Sequence, residues 1–266
     1  MTTLATGRSV TLAARHPLIV YFALAYVISW PLWLLSRLAG GTLGTLLLVI
    51  GGFGLMIAAM VTLRLGGGSL LDWARGILRW RVPIVYYLYA LALPPLLMVT
   101  MNLGLAALGS QPDWSAVLGR APAYLQTFVL TAVIFGGQEE PGWRGFALPR
   151  LQQRHSPVVA TLILGLAWGV WHIPLYGPAG FVVPLVLAFF YTWLYNKTGS
   201  VLLCIVLHAS FTPAQDHLLL TADSPTVDVV LLITYLLAVG VLILLTRARL
   251  GFRPTEVAAT ATKESS

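Results

Sequence analysis

The stretch Gly136-Gly137-Gln138-Glu139-Glu140-Pro141-Gly142-Trp143-Arg144-Gly145 sets two adjacent carboxylates and a guanidinium between long apolar runs. On a soluble helix such a stretch is a solvated polar face; in a membrane bundle it is an intramembrane polar site. The chain around it selects the second reading. Hydrophobic residues make up 58% of the 266 and charged residues 9%, where soluble domains carry about a quarter charged. Mean hydropathy is +0.84. An ionisable side chain at a bilayer centre costs about 2.5–3.5 kcal/mol on insertion scales, so three of them in ten residues mark a place of function.

Working outward, apolar stretches recur from end to end, which defines an all-α, polytopic membrane protein. Eight spans are expected, near 18–38, 43–63, 83–108, 121–140, 157–177, 179–196, 200–219 and 226–246. A barrel does not fit, because the apolar segments are continuous rather than alternating. Residues 69–81 mix arginines with Leu70, Trp73, Ile77 and Trp80, the composition of a short helix lying in the headgroup plane. A solvated basic loop is the other reading of that segment. The single cysteine, Cys204, lies in an apolar run, which excludes a disulfide framework and a cysteine metal cluster.

The chain divides into a cytoplasmic N-terminal segment (1–17), a membrane domain (18–246) and a polar tail (247–266) expected to be disordered. No cleavable signal is evident, since Arg8 and Arg15 are followed by a run long enough to span. The net charge of +7 would suggest nucleic acid in a soluble protein; here its distribution reports orientation instead. With both termini in the cytoplasm of a multi-pass cell-membrane protein, 14 of the 16 lysines and arginines fall inside, leaving Arg37 and Arg120 outside. Asp113, Asp216, Asp223 and Asp228 also fall outside. Internal repeats are not found, which weakens a proton-coupled transporter built on duplicated halves.

If the fourth helix runs past the glutamates to Arg154, it forms a long antiparallel hairpin with the fifth, turning at Arg154-His155-Ser156-Pro157. Glu139 is then level with His172, and Glu140 with Trp171, about 22 Å of helix from the turn. His208 and Arg144 share a similar depth, and the layer is expected to open toward the cytoplasm if it opens anywhere. Arg144 stands four residues after Glu140, the better-placed intrahelical partner. One carboxylate is thereby held by Arg144 while the other is left as a general base. His16, His155 and His217 sit at segment ends and read as interfacial.

Three ordered motifs resemble those of the CPBP intramembrane proteases, which include the CAAX prenyl endopeptidases and bacterial bacteriocin-processing or Abi-type proteins. Glu139 to Arg144 is similar to the family's EExxxR, and Trp168-Gly169-Val170-Trp171-His172 to its FxxxH with tryptophan for phenylalanine. His208-Ala209-Ser210-Phe211-Thr212 resembles its third motif, a histidine followed by asparagine four residues on. The similarity covers about residues 17–246. It implies that Glu139 and His172 activate water for peptide-bond hydrolysis, with Glu140 and Arg144 in support and His208 completing the site. Thr212 stands where the family has the asparagine thought to stabilise the oxyanion, and is expected to donate from its hydroxyl. Trp168 is expected to pack as an apolar wall, as phenylalanine would.

Two mechanisms remain open: Glu139, His172 and His208 holding Zn²⁺ with one open water position, or Glu139 acting on water beside His172 without metal. The implied substrate is a peptide or lipid-modified, membrane-tethered protein cut at the cytoplasmic side, with the lipid bilayer as the other partner and no nucleic acid. A non-catalytic immunity or scaffold protein, keeping the same residues as a structural polar network, is the competing function.

Overall fold

In a computed structural model, residues 11–222 and 224–252 are described. Arg8, Asp223, Arg253, Lys263 and the tail from 253 onward lie outside them. The described chain is all-α. After a helical turn at Leu12–Arg15 come α1 (Pro17–Ala39), α2 (Gly41–Gly52), α3 (Gly54–Leu65), α4 (Leu70–Ile77), α5 (Ile84–Ala107) and α6 (Ala116–Val133). A broken segment over 137–152 follows, then α7 (Pro157–Tyr176), α8 (Val182–Thr198), α9 (Val201–His217) and α10 (Pro225–Leu245).

Six stretches among the described residues are long and apolar enough to cross a membrane: α1, α5, α6 through Gln152, α7, Pro178–Thr198 and α10. Taken as one span, α2 and α3, bent by 45° to each other, make a seventh. With 17 residues, α9 is shorter than any of those six stretches. Leu38, Leu118, Leu237, Leu244 and Leu245 are mostly exposed. Such a surface is a liability in water and the natural face toward acyl chains.

Local chemistry sets the helix ends. Proline occupies the first turn of α1, α7 and α10, where its missing N–H costs nothing. Ser69, Ser156 and Ser200 accept from backbone N–H groups at the starts of α4, α7 and α9, satisfying donors the helix leaves unpaired. The basic segment read as an interfacial helix is α4, with no residue fully buried.

Antiparallel alternation gives the bundle two chemically different ends. Toward one end lie Arg15, Arg64, the Arg75–Arg81 segment, Arg154, Lys197, Arg247 and Arg249. Hydrogen bonds knit that end together: Thr11 to the Leu65 carbonyl, Ser200 to the Arg79 carbonyl, and Asn196 to the Leu250 carbonyl. Leu250 is fully buried, so the part of the expected tail from 247 to 252 is packed against this end. At the opposite end Arg37 donates to the Leu175 carbonyl, Arg120 to the carbonyls of His217 and Leu219, and the Leu220 carbonyl accepts from Asp113.

The fourth span differs from the continuous helix read in the sequence. It stops after Val133, then resumes as a tight turn (Gly137–Glu139), a short helical stretch (Glu140–Gly142), a π-helical turn (Trp143–Ala147) and a last turn (Leu148–Gln152). The break has identifiable causes. Gly136 takes φ 151° with the His208 ring against it, a conformation closed to other residues, and Pro141 offers no N–H. Beyond the break, a side chain at Gly142 would collide with the Tyr21 hydroxyl and the Leu55 carbonyl, so glycine lets α1 and α3 close on the segment. Glu139, Glu140, Trp143, Arg144, Phe146 and Leu148 are all buried. This polar-bearing segment is the centre of the core, and irregular backbone at membrane depth is tolerated where protein surrounds it.

Candidate active site

The two adjacent glutamates point to different partners. Glu139 Oε2 accepts from the indole N–H groups of Trp168 at 2.7 Å and Trp143 at 3.4 Å. Its other oxygen, Oε1, lies 3.9 Å from Nε2 of His172. His172 Nδ1 is 3.0 Å from the Trp168 carbonyl. A carbonyl only accepts, so Nδ1 carries the proton in the neutral ring, and Nε2 turns a lone pair toward Glu139. Two acceptors 3.9 Å apart do not bond to each other; they suit a shared water or proton.

Glu140 is fully buried and engaged. Arg144 Nη1 donates to both of its oxygens at 3.0 and 2.9 Å, and His208 Nδ1 donates to Oε1 at 2.9 Å. The equally buried guanidinium of Arg144 lies over the rings of Trp168 and Tyr191, 4.6 and 4.3 Å from their centroids. Cation–π contact of this kind is worth about 2 kcal/mol when desolvated. The i,i+4 spacing read in the sequence therefore forms the ion pair, and His208 joins it rather than Glu139.

Trp168 connects the two halves. Its N–H holds Glu139, its carbonyl holds His172, its ring covers Arg144, and its centroid lies 5.6 Å from that of His208. It was expected to be an apolar wall; the indole N–H makes it a hydrogen-bond donor to the site, a role phenylalanine has no atom for. Gln138 is the second residue the sequence reading passed over. Its Oε1 accepts from the Gly136 N–H, and its side chain lines the same cavity as Glu139 and His172. Its position beside the glutamates was the available signal. Thr212 is one turn beyond His208 on α9, half-buried, and does not line that cavity.

A cavity of about 520 Å³ reaches Glu139 and His172. Trp33, Gly52, Gln138 and Trp171 stand near the same depth, while Arg37, Gly40, Gly41 and Tyr176 belong to the end where α1 meets α2 and α7 stops. The cavity thus reaches the surface at the end opposite the basic one, correcting the expectation that the polar layer opens toward the end of the Arg154–Pro157 turn and the chain termini. His172 lies four residues from the end of α7 and fifteen from its start, about 6 Å against about 22 Å of helix. On the longer side, buried Trp143, Phe146, Leu148 and Leu151 fill the space.

The zinc alternative required Glu139, His172 and His208 as one donor set. Among the described residues no three histidine, cysteine, aspartate or glutamate side chains stand together so as to hold an ion. His208 gives Nδ1 to Glu140 and has its Nε2 packed against Gly136, so Glu139 and His172 stand as a facing pair, one protein ligand short of a catalytic zinc site. The residues as arranged do not fit that metal.

A polytopic helical membrane protein with a buried glutamate–histidine pair beside a buried glutamate–arginine–histidine cluster is the class that fold and site define. Residues 121–212 match the model of the Rce1-like type II CAAX prenyl endopeptidases. A segment is 31% identical over 108 residues to a CAAX prenyl protease 2 of Methanococcus maripaludis, covering 34% of this chain and 40% of that protein. The chain thus matches well under half the length of that relative. Both similarities are to CAAX proteases and cover part of the chain, and the matched region contains Glu139, Glu140, Arg144, His172, His208 and Thr212.

Proposed function

We propose that this protein is an intramembrane endopeptidase that hydrolyses a peptide bond of a membrane-associated protein or peptide. One observation carries the reading: Glu139 Oε1 and the lone pair of His172 Nε2 face each other across 3.9 Å where a cavity reaches them. A water held between them gives a proton to Glu139 as its oxygen attacks the carbonyl carbon. The tetrahedral intermediate then collapses, the C–N bond breaks, and the proton passes to the departing nitrogen. General-base assistance of this kind is worth about 10²–10⁴ in rate. His172 positions the water. The Gln138 amide, its oxygen held by Gly136, is the donor best placed for the oxyanion, ahead of Thr212. Glu140, Arg144 and His208 hold the segment that carries Glu139, and no step passes through a metal.

In this reading residues 18–246 form the catalytic domain, with α2–α3 as one span and α9 as another, making eight, and both termini in the cytoplasm. The partners are the bilayer and a peptide or lipid-modified substrate; nucleic acid has no part. The test is purified protein in liposomes, offered a quenched-fluorescent peptide library and a farnesylated C-terminal peptide. Cleavage that disappears in Glu139→Ala is the expected result. No cleavage above that variant's background, in a protein shown to be folded, would move the non-catalytic immunity or scaffold reading ahead.

A further inference from the structure

We infer that the catalytic cavity faces away from the cytoplasm, so that the substrate is a peptide segment held at the outer leaflet rather than a cytoplasmic chain end. The inference rests on the hydrolytic reading of the site, and adds to it the side from which substrate arrives.

The cavity meets the surface where α1 gives way to α2 at Gly40 and Gly41 and where α7 ends at Tyr176. Of the described lysines and arginines outside the buried site, Arg37 and Arg120 alone lie at that end; the rest lie toward the other. Asp113 and Asp228 flank the helices at the cavity end as well. Lysine and arginine in short segments flanking spans are retained on the cytoplasmic side. The basic end is then cytoplasmic, and the cavity end is exoplasmic. Removing Arg144 from the tally, because it is buried in the site, leaves the asymmetry intact. The route from the basic end is closed by the packed side chains of Trp143, Phe146, Leu148 and Leu151.

The walls suggest how substrate enters. Leu48 of α2 and Phe135 in the break after α6 both line the cavity and are 36% and 46% exposed. These two residues join the cavity to the lipid-facing surface, which gives an extended peptide with apolar side chains a route from the outer leaflet to Glu139. Small residues on the α1–α2 side, Gly40, Gly41 and Thr45, line the cavity, with open space beside the two glycines, and leave room for a backbone there.

Single cysteines placed at the two ends test this directly, because Cys204 is buried. In intact bacterial cells a membrane-impermeant maleimide should label Thr45→Cys and Ser36→Cys before lysis. It should label Gln153→Cys, at the basic end, only after lysis. Labelling of Gln153→Cys in intact cells, with both rim cysteines protected until lysis, would overturn the inference. Maleimide attached at Thr45→Cys from outside should also abolish peptide cleavage by the labelled protein; undiminished turnover would mean that substrate uses another route. Labelling requires no activity. A protein that labels as expected but cuts nothing would defeat the hydrolase reading alone, and one that cuts but labels in reverse would defeat this one alone.

Discussion

Glu139 and Glu140 are neighbours in sequence and opposites in environment. Glu140 is sealed at 0% exposure between Arg144 and His208; Glu139 shares one oxygen with two indoles and turns the other to His172 and the cavity. The first arrangement resembles a structural ion cluster, the second a reaction centre. The difference teaches that charge alone does not mark a catalytic group in a membrane. What marks it is an acceptor left without a full set of partners beside a space that substrate can reach. Breaking the two halves separately should therefore give different phenotypes.

The largest effect is expected from Arg144→Met, which leaves Glu140 buried beside His208 with no cation. Removing one partner of a buried pair costs about 3–5 kcal/mol, so the variant should fail to accumulate or unfold at much lower temperature in detergent. Normal thermal stability would mean that the sealed cluster is not what holds the segment. Glu139→Gln comes next and should behave in the opposite way, keeping stability while losing about 10²–10⁴ in turnover. If it lost stability as severely as Arg144→Met, the division into a structural half and a reacting half would fail.

Trp168→Phe sharpens the boundary between them. It removes the 2.7 Å hydrogen bond to Glu139 and keeps an aromatic ring over Arg144. A hydrogen bond to a charged group is worth about 1.5–3 kcal/mol, so turnover should fall at least about tenfold, with KM little changed. Unaltered kcat would make the indole mere packing. The smallest effect is expected at Thr212, away from the cavity. Thr212→Val should stay within about twofold of wild type, where Gln138→Leu should cost about a hundredfold, the usual loss of an oxyanion donor. A reversal of that order would return the oxyanion to α9.

Much of this was legible along the chain. Nearly every expected span has its helix, because continuous apolar runs in lipid admit little else, and the Glu140–Arg144 pair follows from i,i+4 spacing. The level of Glu139 with His172 came from counting along a hairpin, and they do meet, although the fourth span is broken rather than continuous. Trp168 was misjudged because a motif position reports ring size, while the N–H direction depends on the rotamer and on where Glu139 ends. Gln138 carries no charge, so its place beside the glutamates is the one mark the sequence gives it.

By itself the sequence determined that the chain is a helical membrane protein, which end of its bundle is basic, and which few polar residues lie at membrane depth. These follow from local quantities: hydrophobic length, charge position and residue spacing. Only the tertiary structure decided which glutamate is sealed and which faces the cavity, that His208 serves Glu140, and that the cavity opens at the end opposite most of the arginines. Each of those depends on the direction a side chain takes after Gly136, Pro141 and the π turn re-aim the backbone. Directions of that kind are set by the helices packed around the segment.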